Sequence, residues 1–346
     1  MKLGLILGTG GSHYDIDMDL VLEAERLGFD SVWTSEAWGA DAISPAAWVL
    51  ARTSKIKVGT GIIQMPARTP ALAAMTAMTL QQLSGNRFIL GIGPSGPQVI
   101  EGWHGVPYGK PLTRTREYIE IIRKILAREG PLTHEGEHYQ IPFTGPGSTG
   151  LGKPLRSILH GDPSLKIITG TISPPGVRTA AEVADGMIPV FMNPERFDIF
   201  EKPIKEGFAK AGGGKSLDNF EVTPFCTVQI ADDLDKARRP VRENLALYIG
   251  GMGARDKNFY NDYAKRLGYE DAAVEIQDHF LAGRRAEAMA AVPDKLIDEV
   301  ALVGPKDKVT ARLQDWKAAA KQKHVSAVLC RAEDKETLRV LAEAVL

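Results

Sequence analysis

The sequence predicts a (β/α)8 TIM barrel with loop and helical insertions, and three observations carry that expectation. Eight short apolar, β-branched runs alternate with helical patterns along the chain, the order from which parallel strands and crossover helices build an α/β fold. The stretch from Ile56 to Gly96 is a complete strand, helix, strand unit, so its two strands point the same way. The 346 residues also allow one large barrel domain, 1–346, since such barrels commonly run longer than other domains. An open doubly wound sheet is the main competing arrangement.

The strand candidates begin at Lys2, Ser31, Ile56, Phe88, Leu165, Met187, Glu221 and Ser326. After the first, Asp15 or Asp17 caps a helix with Met18, Val21, Leu22 and Leu27 on one face, and Gly28 ends it. A helix near Pro45 to Arg52 follows the second strand. In the third unit Thr69 serves as N-cap and Pro70 as first helical residue; Leu72, Met75, Thr79 and Leu83 form the apolar stripe, and Gly85 ends the helix. Leu112 to Arg128 reads as a long amphipathic helix burying Tyr118, Ile121, Ile122 and Ile125. Further helices are expected over Val177 to Ala184 and Glu195 to Ala211. Residues 94–111 and 130–164 are loop excursions rich in Gly and Pro, with a small hairpin at Thr133 to Pro142, and 250–298 is a helical insertion before the last strand. Loops of this length in a barrel usually cover the site.

A formal net charge of -1 leaves no strong field to attract nucleic acid or an anionic membrane, so a small-molecule substrate is the expected partner. Cys226 and Cys330 sit in apolar runs without metal-ligand spacing and read as reduced core residues of a cytoplasmic protein. The N-terminal run is too short for a signal peptide and reads as a buried strand.

GIGPSG, Gly91 to Gly96, matches the dinucleotide spacing G-x-G-x-x-G, but it follows the fourth strand rather than the first. Pro94 and Pro97 suit a turn more than a helix opening, and no strand ends in an acid about 20 residues on. Gly93, Pro94 and Ser95 are instead expected in a tight loop where backbone approaches a ligand. Trp38, Gln64, Gln98, Glu101, Trp103, His104 and Tyr108 lie on loops expected to face the barrel mouth and are candidate substrate contacts. His104 is a candidate proton donor because imidazole titrates near neutrality. His13, after the first strand, is a second candidate. His134 and His138 have helical i,i+4 spacing, yet their flanks read as a hairpin, so no metal site is expected.

The order Gly61-Ile62, Gln64, Pro66, Arg68, Pro70, long helix, SGNRFILGIG resembles the luciferase-like monooxygenase superfamily. The likeness is greater to its deazaflavin branch, the coenzyme F420-dependent oxidoreductases that include methylenetetrahydromethanopterin reductase and a glucose-6-phosphate dehydrogenase. FDSVWTSEAW, VRTAAEVADGMIP and ALVGPKDKVTARLQDW also look like family stretches in their expected order, so the resemblance covers nearly the whole chain. It implies a non-prolyl cis peptide at Gly61-Ile62, forming a bulge behind a flavin-type ring. It implies that Glu36 touches the cofactor or the substrate pocket, and that Gly170, Thr171, Ile172 and Ser173 hold the cofactor phosphate at a helix N-terminus. A homodimer is implied as well. The Asp-His pair of many members stands here as Glu36-Ala37, which removes the imidazole base of sugar oxidation. The acid that the reductase branch carries near the end of the first strand is absent too, that region being Leu5, Ile6, Leu7 and Gly8. With no strong general base in view, reduction is expected over alcohol oxidation. The expected function is hydride transfer between deazaflavin C5 and a small organic substrate. An FMN-dependent monooxygenase on the same barrel and a non-catalytic flavin-binding protein are the alternatives.

Overall fold

In a computed structural model that describes residues 1–8 and 12–346, eight parallel strands close into a ring. They are β1 (Lys2–Ile6), β2 (Ser31–Thr34), β3 (Lys57–Thr60, continued by Ile63–Gln64), β4 (Phe88–Gly93), β5 (Ile167–Gly170), β6 (Gly186–Ile188), β7 (Glu221–Val222 and Phe225–Ile230) and β8 (Ala327–Arg331). Each pairs with the next, and β8 pairs with β1 through Lys2↔Ala327 to Leu5↔Cys330. The two pieces of β7 make the closure: Glu221–Val222 lies on β6, while Phe225–Ile230 lies on β8 and Val190 bridges to Phe225. Pro224 has no amide proton, so the break falls where a ladder bond cannot form. The Thr223 and Phe225 amides on either side still donate to the Met187 and Pro189 carbonyls, each at 3.0 Å.

Helices follow the strands in turn: α1 (Met18–Leu27), α2 (Ile43–Arg52), α3 (Pro70–Ser84), α4 (Pro97–Gly102), α5 (Pro111–Ala127), α6 (Pro174–Val183), α7 (Asp198–Ala211) and α8 (Leu234–Gly251). After α8 come α9 (Phe259–Arg266), α10 (Glu270–Leu281), α11 (Arg285–Ala290) and α12 (Asp294–Val300), then α13 (Lys306–Lys321) and, past β8, α14 (Lys335–Val345). The caps are local chemistry. Asp17 accepts from the Leu20 amide, Thr69 from Leu72, and Gly28 and Gly85 take the left-handed conformation at φ 89° and 65°.

Four details depart from the sequence expectation. A ninth parallel strand, Leu302–Gly304, adds to the outside of β7; three residues between two helices give no periodicity to read. Pro97 opens the short α4, so GIGPSG does lead into a helix. Leu22 of α1 is 43% exposed, the buried face being Leu20, Val21 and Ala24. The largest departure is α3, whose expected stripe faces outward: Leu72, Met75 and Leu83 are 48%, 58% and 81% exposed. Ala73, Ala74, Ala77 and Met78 face the barrel instead, because small side chains let the helix approach the strands closely.

Side chains alternate between two cores. Leu3, Leu5, Val32, Val58, Leu90, Ile167, Met187, Cys226, Val328 and Cys330 pack outward under the helices. Ile6, Trp33, Ile89, Ile168, Ile188, Ala327 and Leu329 fill the lumen, joined by Ile62 and Phe225. The thiols of Cys226 and Cys330 are free and buried on the outer face, and burial pushes the Cys226 thiol up to about 12. No helix among the described residues is long and apolar enough to cross a membrane.

The third strand carries one residue too many for its neighbour. Gly59 pairs with Ile89, and pairing resumes at Ile63 with Ile92, so four residue steps on β3 oppose three on β4. Thr60 fills the gap in the ladder: its hydroxyl donates to the Gly91 carbonyl at 2.8 Å and accepts from the Gly91 amide at 2.9 Å. Replacing this hydroxyl by a methyl group strands both Gly91 groups in a fully buried position. Thr60→Val is therefore expected to lower stability by about 2 kcal/mol, read as a reduced urea midpoint at unchanged slope; a midpoint equal to wild type would disprove the bridging role.

Candidate active site

The lumen faces of the third, fourth and fifth strands end in glycine at the carboxyl-terminal mouth: Gly61, Gly93 and Gly170. Ile62 lies between the last two. A Cβ on Gly170 would stand 3.1 Å from Ile62 Cγ2, and one on Gly93 would overlap Ile62 Cδ1, so both positions must stay bare for this side chain to form a ledge. The Gly61-Ile62 peptide is cis, as the resemblance implies, and the Gly61 carbonyl accepts from the Ser35 hydroxyl at 3.1 Å. Beside the ledge, Pro94 and Ser95 turn away from β4, with Ser95 at φ 58°. The Ser95 carbonyl accepts from the Tyr108 hydroxyl at 3.0 Å. Burial pushes that hydroxyl up to about 12, against a smaller opposing effect of Arg114, so it remains a donor at neutral pH.

Glu36, Gln64 and His104 meet on the other side of the bulge. The Glu36 carboxylate accepts from Arg68 Nη1 at 2.5 Å, from the Gln64 amide at 3.0 Å and from the Ala42 amide at 3.1 Å, and its side chain is only 5% exposed. Gln64 Nε2 donates to the Ala37 carbonyl at 3.3 Å, which leaves Oε1 to face His104 Nε2 at 2.6 Å. An amide oxygen only accepts, so His104 carries its proton on Nε2, and Nδ1 has no partner among the described residues. Gln64 thus ties Glu36 to His104.

The segment after β5 offers a mixed set of donors. The Thr171 amide is used by the Ile188 carbonyl, the Gly176 amide by the Ser173 hydroxyl, and Pro174 and Pro175 have none. The amides of Ile172 and Ser173 and the hydroxyl protons of Thr171 and Ser173 remain available among the described residues. Arg266 from the end of α9 joins them, donating from Nη2 to the Ile172 carbonyl at 2.8 Å. It has no carboxylate partner among the described residues, and burial lowers its pKa. Nothing in the sequence links Arg266 to a loop 94 residues earlier.

Trp38 and Trp103 are 58% and 65% exposed at the rim, and Gln98 and His13 are exposed too. The mouth instead gains rings that the sequence reading did not single out. Phe191, just past β6, meets Tyr248 of α8 edge-on at 5.5 Å and Tyr260 of α9 at 6.5 Å. His134 and His138 lie on a two-stranded antiparallel hairpin, His134–Glu135 with Gln140–Ile141. His138 Nε2 accepts from the Lys110 amide, and no cluster of three metal-type ligands occurs among the described residues.

The family model described as luciferase-like monooxygenase matches residues 2–322. The chain belongs to this family. A curated relative, a Mycobacterium tuberculosis protein named as a coenzyme F420-dependent oxidoreductase, is 44% identical over 100% of this chain and 99% of its own. The 5,10-methylenetetrahydromethanopterin reductase of Archaeoglobus fulgidus is 28% identical over 100% and 99%. Among solved structures, the coenzyme F420 dependent tetrahydromethanopterin reductase of Methanopyrus kandleri superposes with a TM-score of 0.79 at 23% identity, covering 99% of this chain and 98% of that one. These relatives match the chain from end to end, and the family model covers all but its first residue and its last 24.

Within this luciferase-like site the Glu36–Arg68 pair is the most enclosed charge pair, with Arg68 18% exposed. Removing the Glu36 charge leaves Arg68 with only its longer contact to Asp41, at 3.9 Å. Glu36→Gln is expected to cost about 3 kcal/mol of stability, measured by urea unfolding; retention of full stability would show that the pair does not brace the bulge.

Proposed function

We propose that this chain is a coenzyme F420-dependent oxidoreductase that moves a hydride between deazaflavin C5 and a small organic substrate, acting as a reductase. The observation that carries the reading is the bare glycine mouth with the Ile62 ledge, in a chain alike from end to end to a protein named for that cofactor. The bound deazaflavin would supply the hydride chemistry. Gly61 and Ile62 would support its ring, Gly93, Pro94 and Ser95 would wall it, and Gly170, Thr171, Ile172 and Ser173 would hold its phosphate. Arg266 fits that phosphate, being a partly buried cation that forms no ion pair among the described residues.

Reduction is favoured over alcohol oxidation because the carboxylate at the mouth, Glu36, is engaged by three donors, one of them the Arg68 guanidinium, and makes a poor general base. His104, fixed through Nε2 by Gln64, delivers a proton from Nδ1 when charged; Glu36 is a positioning residue for it. Gln64, Tyr108, Trp38, Gln98 and Trp103 are assigned to the substrate.

Titration of the purified protein with F420 and with FMN, followed by fluorescence quenching, tests the cofactor assignment. F420 is expected to bind at least tenfold more tightly, and Arg266→Ala to weaken it by roughly tenfold or more while sparing the deazaflavin nucleoside that lacks phosphate. Tighter binding of FMN would select the monooxygenase alternative.

We place this enzyme in the cytoplasm, consistent with its free buried thiols, and assign it a homodimer. The outward Leu72, Met75 and Leu83 of α3 form an apolar face suited to a second copy. Met75→Glu is expected to give a monomer in sedimentation velocity; an unchanged sedimentation coefficient would remove this face from the interface.

A further inference from the structure

Along β8, Ala327 and Leu329 both point into the lumen. Strand side chains alternate, so Arg331, two residues further, stands on the same face one level higher, at the mouth. Its register partner on β7 is Thr227, which follows the lumen residue Phe225 by the same interval. Other arginines around the mouth are engaged. Arg68 pairs with Glu36, Arg114 donates to the carbonyls of Pro107 and Tyr108, and Arg266 donates to Ile172. Arg331 is exposed and has neither an ion pair nor a hydrogen bond among the described residues. Of the two acids that follow it, Glu333 makes no ion pair with it among the described residues, and Asp334 is occupied in capping α14 through the Thr337 amide and hydroxyl.

The aromatic trio is the second observation. Phe191, Tyr248 and Tyr260 are all half-buried, and Tyr248 and Tyr260 meet edge-on at 4.7 Å, so each keeps part of its surface open. Phe191 is held at φ 52°, in the left-handed region that a bulky residue seldom occupies without a constraint of function. Burial raises the pKa of the Tyr248 hydroxyl, and the Arg331 guanidinium is near enough to oppose part of that rise. A cation and an open aromatic wall therefore share the half of the mouth formed by β6 to β8. The glycine edge and the phosphate loop lie on the other half, at β3 to β5.

We infer that Arg331 and the Phe191–Tyr248–Tyr260 wall select a substrate that carries a carboxylate on a planar, apolar body. The inference rests on the F420 reading above, which gives the glycine edge and the phosphate loop to the cofactor and leaves Arg331 and these rings without a role. A guanidinium presents a planar fork of donors that matches a carboxylate in two parallel hydrogen bonds, and ring faces and edges accept a flat hydrocarbon skeleton.

The test uses the F420-loaded protein and three aromatic carboxylates, benzoate, cinnamate and 2-naphthoate, each against its uncharged amide. Wild type is expected to bind at least one acid tenfold or more tightly than its amide, measured by calorimetry. Arg331→Gln abolishes that preference, Arg331→Lys retains part of it, and Tyr260→Ala weakens acid and amide alike. Absence of any acid preference, or absence of binding by the whole series, overturns the inference. So does a fivefold or greater loss of F420 affinity in Arg331→Gln, which would assign the arginine to the cofactor. Failure of wild type to bind F420 at all would instead defeat the functional reading on which the inference stands.

Discussion

A narrow barrel has room for few large side chains, and here Trp33 takes the centre. Its indole N–H donates to the Ser31 hydroxyl at 2.8 Å, which satisfies its one polar group in a fully buried place. The ring then dictates what its neighbours are. A Cβ on Gly59 would overlap it, one on Gly4 would stand 3.2 Å from its nitrogen, and one on Gly61 3.4 Å from its six-membered ring. Large and small residues thus interdigitate across β1, β2 and β3, as close packing requires. Phe225 completes the floor beneath Gly61. Above this floor the glycine ends leave the backbone open, so a filled lumen and a vacant mouth are two results of the same packing.

The charged groups of the mouth divide by what they hold. Glu36 and Arg68 satisfy one another and fix the backbone at Gln64, a structural task performed by enclosed charges with several hydrogen bonds. Arg266 reaches inward from the helical insertion, which makes that insertion part of the mouth instead of a peripheral decoration. The same insertion brings Tyr260, and its anchor is polar: the side chains of Asn258 and Asn261, both buried, donate to carbonyls of Tyr248, Ile249 and Ala273. Tyr248 and Tyr260 are consequently held by hydrogen bonds made outside the ring cluster.

How much of this could be read beforehand depended on how local each determinant is. The third unit was legible because Thr69, Pro70 and Gly85 each make their contact within a few residues, and the eight strand starts followed from runs buried on both faces. The inner face of α3 was not, since alanines carry little hydrophobic weight in a periodicity count although they permit the closest approach. Glu36, Gln64 and His104 were each singled out, but their joining through one amide required the fold to bring positions 36, 64 and 104 together. Arg331 was within reach of the sequence: its two-residue spacing from Leu329 already sets its face. Arg266 was not, because no local pattern ties α9 to the loop after β5.

The extra residue in β3 has a geometric consequence beyond its hydrogen bonds. Before it, odd-numbered positions such as Gly59 look into the lumen; after it, Ile63 packs in the outer core and Gln64 turns to the mouth. The bulge works as a phase inverter, exchanging inside for outside without changing strand direction. A change of chain length between Thr60 and Ile62 would accordingly be a different kind of lesion from any substitution there. One residue fewer would restore a regular ladder and rotate Gln64 away from both Glu36 and His104, whereas a grafted site would have to bring its own half-period along.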